Sequence, residues 1–285
     1  MPLRPTRRLP YCPQPVMLPC PLPARSAAAR VSLALLAGVA LAIWLPACQR
    51  DRRAIGAYPP TVTVDHAKAR AAASWHPALT DDSIPWNSND TMRTLLFVAA
   101  TLKRTEYSHQ RQVDALLGRY HFDCSGMVDW ILQHSAPSAA QSVREEGAAR
   151  PLAANFHGAI ATSPTKDTRR GWLRIERVQD ARPGDVIAWL RHSEQQSRST
   201  GHVAILVHSP VRLPGYDNAY LLRIADSTSV RHANDTRQGL EDGGFGLGTI
   251  VVVVDERGHP VGYGWMATRS PRIRFTSIAV GRPLR

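Results

Sequence analysis

GRYHFDCSGMVDWILQ (residues 118–133) is the stretch on which the reading of this chain turns. Asp123 stands just ahead of an apolar pattern, Met127, Val128, Trp130 and Ile131, that recurs at helical spacing. An Asp in that place is a good N-cap, so the spacing predicts a helix that begins at about Cys124. Upstream, Asn89 or Asp90 can cap a helix carrying Leu95, Leu96, Val98, Ala99 and Leu102. A second amphipathic stretch is expected over roughly Gln110 to Leu117. After Trp172 the period changes to two and the segments shorten. Strands are expected near Asp185–Leu190, His202–Val207, Tyr220–Ala225 and Thr249–Val254, with Pro260–Trp265 returning across the Asp255–Gly258 turn. Helices first and an antiparallel sheet of about five strands afterwards make the fold class α+β.

A cysteine at a helix start has chemical consequences. Thiolate is the nucleophilic form, and a free cysteine holds little of it at neutral pH. The unpaired N–H groups of a helix N-terminus favour an anion there and can also hold the oxygen of a tetrahedral intermediate. Ser125 and Gly126 are small and leave room for a substrate carbonyl beside Cys124. A buried, inert thiol is the alternative fate of a lone cysteine. The chain has four Cys, and the other three (Cys12, Cys20, Cys48) fall in the first fifty residues without CxxC spacing. That excludes a disulfide scaffold and a four-cysteine zinc site.

A nucleophilic cysteine needs a base, and a base needs an orienting group. Gly201-His202-Val203-Ala204-Ile205-Leu206-Val207 puts a histidine at the mouth of an apolar strand. If that strand forms a hairpin with Tyr220–Ala225, with Val207 opposite Tyr220, His202 lies opposite Ala225 and Asp226 is the nearest carboxylate. His232 is the alternative third residue. Asp185, in Arg182-Pro183-Gly184-Asp185, reads as a turn former without direct chemistry. Gly243-Gly244-Phe245-Gly246-Leu247-Gly248 lacks the Lys-Ser/Thr of a phosphate cradle and reads as a flexible loop near the cleft. His192, His202 and His208 share no helical face and have no nearby acidic cluster, so no metal site and no cofactor are expected.

The first sixty residues carry a different signal. Arg25 and Arg30 precede the uncharged run Val31–Leu45, and Cys48 follows Pro46 and Ala47. A basic flank, a short apolar core and a small residue before a processing point describe a secretory signal. Leu45-Pro46-Ala47-Cys48 resembles a bacterial lipobox, which implies lipidation of Cys48; an uncleaved anchor and ordinary signal cleavage are the alternatives. Either route takes the body of the chain out of the cytoplasm, and Gln49 after the cysteine favours the outer membrane. The division expected is a signal segment over 1–48, a linker over 49–85, one domain over 86–270 and a tail over 271–285. Residues 135–170, rich in Ala, Ser, Thr and Pro, are expected as a surface insertion that could cap a groove.

Composition limits the partners. Hydrophobic residues make up 44% of the 285 and charged residues 20%, which excludes a wholly disordered chain. The net charge is +12, and removing residues 1–47 takes away five Arg and no acid, leaving +7. That excess suits a polyanionic surface such as a cell wall or lipid headgroups. No finger spacing, clustered basic helix or aromatic-basic interleaving points to nucleic acid.

FDCSGMV (122–128), RPGDVIAW (182–189) and GHVAILV (201–207) together resemble the NlpC-type cysteine peptidases, which share a papain-like core. The resemblance covers about residues 100–230. It implies Cys124 as nucleophile and His202 as base, with Tyr120 lining the substrate groove beside Asp123 and Ser125; the family usually has a His, Asn or Gln in the third role, where this chain offers Asp226. It further implies a monomeric hydrolase acting on amide bonds of peptidoglycan stem peptides. An acyltransferase using the same Cys–His pair, or an inert wall-binding module, are the rival readings.

Overall fold

The structure is a computed structural model. It describes residues 64–76, 79, 81–144, 150–193, 199–237, 243–266 and 272–285, and these fall within one compact unit, residues 53–285. The expected signal segment, the Cys48 lipidation site, Cys12 and Cys20 lie outside the described residues. Among the described residues no helix is long and apolar enough to cross a membrane.

The chain is α+β. Among the described residues, five α-helices, α1 (His66–Trp75), α2 (Asp90–Thr101), α3 (Cys124–Ser135), α4 (Pro137–Arg144) and α5 (Ala153–Ala161), accompany two sheets. The small sheet joins β1 (Arg104–Tyr107), β2 (Gln112–Asp114) and β3 (Arg119–Phe122). The large one has nine strands and runs β11-β10-β9-β8-β6-β5-β12-β4, with β7 against β8. Its members are β4 (Trp172–Ile175), β5 (Val186–Leu190), β6 (Gly201–Leu206), β7 (Val211–Arg212), β8 (Ala219–Thr228), β9 (Gly244–Val254), β10 (Pro260–Gly264), β11 (Arg274–Phe275) and β12 (Ile278–Pro283).

Local chemistry sets the helix starts. The Asn89 side chain accepts the Met92 N–H and begins α2. Asp123, in extended backbone, accepts the Gly126 N–H at 2.8 Å and begins α3 with Cys124 as its first residue. The apolar face of α3 (Met127, Val128, Ile131, Leu132) packs with Leu95 of α2, Val203 and Ile205 of β6, and Phe156 and Ile160 of α5 in one buried cluster. Other strand residues, among them Ile187, Trp189, Ala204, Leu206 and Ile224, build a second cluster.

Several expectations are corrected. The sheet has nine strands, not about five. Residues 110–117 form β2 and a turn rather than an amphipathic helix: Asp114 accepts the Leu117 N–H, and Gly118, at φ +67°, closes the turn. The expected linker contains α1, capped by Asp65, and buries Ala69, Ala73 and Leu79 in a third cluster with Leu221 and Val251. The expected tail supplies β12, which lies between β5 and β4 and buries Ala279 and Val280. The 135–170 segment is no surface lid where it is described. Phe156 and Ile160 of α5 are fully buried against the sheet, and Trp172 Nε1 donates to the Ala139 carbonyl and to Ser142. Alanine-rich helices pack closely because a methyl group asks for little space, so their composition had read as surface.

The glycine-rich 243–248 run is not a flexible loop. Residues 244–248 open β9, paired along β8 from Thr228 to Ile224, and are buried. A Cβ on Gly246 would lie 2.6 Å from Arg237 Cγ, and one on Gly248 would lie 2.6 Å from His232 Cδ2. The missing side chains are the berth in which Arg237 and His232 lie across the strand.

Candidate active site

Cys124 is nearly buried at the first turn of α3. His202, near the start of β6, lies within electrostatic reach of Cys124, and its imidazole hydrogen-bonds to Asp226. The contact with Asp226 runs from His202 Nε2 to Asp226 Oδ2 at 2.8 Å. Asp226 is wholly buried, and its Oδ2 accepts a second hydrogen bond, 2.9 Å, from His232 Nε2. Its Oδ1 accepts from the buried Arg237 guanidinium at 2.8 Å, and Arg237 is held in turn by Asp235. The structure therefore brings Cys124, His202, Asp226 and His232 together. Asp226 is the group bonded to His202, and His232 reaches Asp226.

A register shift makes this possible. Ile205 pairs with Ala225 and Leu206 with Ile224, three residues away from the register expected from the sequence. Side chains alternate between the faces of a strand, so an odd shift exchanges the faces. With His202 opposite Ala225, Asp226 would have pointed away from the imidazole. In the observed register His202 and Asp226 continue one row with Ala204 and Ile224, diagonal neighbours within side-chain reach.

The charges fix the proton positions. Burial would raise the Asp226 carboxyl, but Arg237 and the two histidines outweigh it and hold the group well below the usual carboxylate range. An ionised carboxylate only accepts, so His202 and His232 each carry hydrogen on Nε2. That leaves His202 Nδ1 for the Cys124 sulfur. Burial works against a charged His202; the negative charge of a Cys124 thiolate and the Asp226 hydrogen bond overcome it and raise the imidazole to about 9.

Aromatic rings enclose the imidazole. Trp189 of β5 lies 5.0 Å from the His202 ring, and Trp265, just after β10, meets it edge-on at 4.9 Å. Trp265 also stacks on His232 at 5.0 Å. On the helix side, Ser227 Oγ donates to the Phe122 carbonyl at 2.6 Å. That bond ties the residue after Asp226 to the chain two residues before Cys124.

The residues expected to face substrate are placed differently from one another. Tyr120 is fully buried, its hydroxyl bonded to Thr101 Oγ1 and its ring packed on Phe122 and Trp130, so it lines no groove. A tyrosine at an even step of a short strand faces inward, and the sequence did not show β3. Ser125 is buried and donates to Asp123 Oδ1 at 3.1 Å. Asp123 Oδ2 is engaged by Arg150 and, at 3.0 Å, by His109 Nδ1. Both are exposed and together cover the Asp123 carboxylate at the start of α3.

Tyr107 on β1 escaped the sequence reading. Burial pushes its hydroxyl up to about 12, a Cys124 charge adds to the rise, Arg150 opposes it and Asp226 adds again. The Tyr107 hydroxyl therefore keeps its proton at neutral pH. Arg237 and Trp265 were missed as well, because nothing in their local sequence marks them. Among the described residues no group of three or more metal-ligating side chains is assembled. Comparison with protein-family models, curated proteins and solved structures produced no match in any of the three.

Proposed function

We propose that the chain is a cysteine hydrolase of papain-like architecture that cleaves amide bonds in peptidoglycan stem peptides outside the cytoplasm. The observation that carries this reading is a histidine held by a buried carboxylate, His202 Nε2 to Asp226 Oδ2 at 2.8 Å, whose imidazole feels the charge of a cysteine at the first turn of a helix. A thiol with an oriented base beside it is the minimum equipment for acyl transfer.

The steps follow from the geometry. Cys124 Sγ attacks the amide carbonyl carbon while its proton resides on His202. The first-turn N–H groups of α3, that of Cys124 foremost, stabilise the oxyanion. Collapse breaks the C–N bond; His202 gives its proton to the departing amine and a thioester remains. Water enters, His202 Nδ1 takes a proton from it, and the second collapse releases the acid and restores the thiol. Asp226 stays ionised throughout and keeps the hydrogen on His202 Nε2. Arg150 and Arg111, both partly exposed and paired with Asp123 and Asp129, offer guanidinium groups to the carboxylates that stem peptides carry. An N-terminal signal or lipid anchor would hold the enzyme where that substrate lies.

Digestion of purified muropeptides tests the proposal. The intact chain is expected to release cleaved peptides and Cys124→Ala to release none. Absence of product from the intact chain, or turnover by the variant, would refute it. Added amine nucleophiles separate hydrolysis from acyl transfer, since only transfer yields an amide adduct.

A further inference from the structure

The turn Ala115–Gly118 between β2 and β3 places two leucines in solvent. Leu116 is 96% exposed and Leu117 is 52% exposed. They are held there by backbone bonds: Asp114 Oδ1 accepts the Leu117 N–H, the Gly118 N–H reaches the Ala115 carbonyl, and the Gly118 carbonyl accepts from Lys103 and Arg104. Gly118 needs its positive φ to make this turn, and a Cβ there would lie 2.2 Å from the Thr101 carbonyl. The leucines are therefore fixed outward and not free to fold back. Phe97, on the outer side of α2, is also about half exposed. A shallow cleft of about 460 Å³ lined by Arg93, Thr94, Phe97, Ala115, Trp130 and His134 extends the apolar surface from the turn onto α3.

Cations surround this surface. Arg104 and Arg119 stand side by side as register partners of β1 and β3, both exposed. Lys103 lies against Gly118, and Arg93 lines the cleft. The acids near them are Asp114, engaged in the turn and opposite Arg119 in the β2–β3 register, Glu106 two residues along β1 from Arg104, and Asp90, paired with Arg93; Lys103 and Arg104 remain as the excess. A projecting pair of leucines inside a ring of Lys and Arg fits an interface that is apolar below and anionic above, as at lipid headgroups. A second copy of the chain would bring the same cations face to face, which charge repulsion opposes.

We propose that the β2–β3 turn, with Phe97 and the cations around it, docks the folded domain on an anionic lipid surface, with Leu116 and Leu117 entering the interface. This contact is independent of the catalytic reading and of any N-terminal anchor. Because Trp130 and His134 belong to the helix that begins with Cys124, docking would also set the orientation of the catalytic helix over the membrane.

Hydrogen exchange on the full chain locates the contact even where the N-terminal segment also holds vesicles. With vesicles of equal parts phosphatidylglycerol and phosphatidylcholine, amides of residues 112–119 are expected to exchange several-fold more slowly than without vesicles. The slowing is expected to weaken at high salt and to be lost with phosphatidylcholine alone. Leu116→Glu/Leu117→Glu is expected to abolish it, and Arg104→Glu/Arg119→Glu, which leaves the leucines in place, to weaken it strongly. No slowing with the anionic vesicles would overturn the proposal. Equal slowing in the leucine variant, or slowing that depends on protein concentration without vesicles, would assign the patch elsewhere and also overturn it.

Discussion

At the scale of single residues, the site depends on one carboxylate that serves three partners. Asp226 accepts from His202, His232 and Arg237 while wholly buried. Replacing it by Asn keeps the shape but presents a donor to one imidazole, which inverts the His202 tautomer. By analogy with carboxylate-to-amide changes in serine hydrolases, kcat should fall by about 10³-fold or more. Arg237 would lose one of its two buried counter-charges, so stability should also fall, by about 3–5 kcal/mol. The two effects separate in a denaturant titration run beside the kinetics. The pH profile has a defined sign. His202 is raised to about 9, so kcat/KM should fall above that pH as the imidazole loses the proton owed to the leaving amine. Asp226→Asn removes a charge that raises the imidazole, so the alkaline limb should move to lower pH. A limb that stays in place would mean that Asp226 does not act on His202.

The sulfur itself gives a second residue-scale prediction. His202→Ala removes the cation that a thiolate would face, so iodoacetamide should modify Cys124 at least about tenfold more slowly at pH 7. Peptide mass mapping distinguishes Cys124 from Cys12, Cys20 and Cys48. Unchanged modification would show that the imidazole does not activate the thiol. Much of this pair was readable beforehand. A cysteine behind a capping Asp and a histidine opening an apolar strand both carry local signatures. Trp265 does not, because its contact with His202 is made between segments far apart in the chain, and Arg237 does not, because its bond to Asp226 depends on how the connection between β8 and β9 folds back.

At the scale of elements, β9 shows how composition misleads. Glycine-rich segments read as loops because glycine adds no side chain to pack and loses more freedom on folding. Here the empty positions of Gly246 and Gly248 are filled by Arg237 and His232. Gly248→Ala would press a methyl group into the His232 ring, which is buried and stacked on Trp265 and has no free side to move toward. Overpacking of that kind costs about 1–3 kcal/mol. The displacement would also loosen the second hydrogen bond to Asp226, so kcat should fall while KM holds. Thermal melts and steady-state kinetics check the pair of effects; a variant with wild-type kcat and melting temperature would show the contact to be slack. The hairpin was legible in the same partial way. Both strands, β6 and β8, were visible from their alternation, but register was not, because the long connection between them fixes no pairing. The three-residue shift came from packing of Ala204, Leu206, Leu222 and Ile224 in one cluster, and only its odd size brought Asp226 to the correct face.

At the scale of the whole molecule, the site's charges couple to folding. His202 is raised above its ordinary 6.5 in the folded chain, so its contribution to stability is full below about 6.5 and lost as pH climbs through about 9. Asp226 is depressed, so its contribution is present above the ordinary carboxylate range and persists until pH falls to its lowered value. Unfolding midpoints should therefore decline between pH 6.5 and 9, and His202→Ala should flatten that decline. The chain's far end bears on the same fold. β12 is hydrogen-bonded to β5 on one side and to β4 on the other, and Arg282 forms a paired contact with the buried Asp185 before β5. Removing residues 276–285 would strip the partner from β5, whose Trp189 packs on His202, and leave Asp185 buried without its cation. The loss includes two strand pairings, the buried Ala279 and Val280 and a buried ion pair, enough to exceed the about 5–15 kcal/mol by which domains are stable. The truncated chain should be insoluble or lack a cooperative melt, whereas Leu284→Ala, at the exposed end beyond β12, should melt as the intact chain does. A soluble, cooperatively melting truncation would show that β5 and the His202 site stand without their C-terminal neighbour.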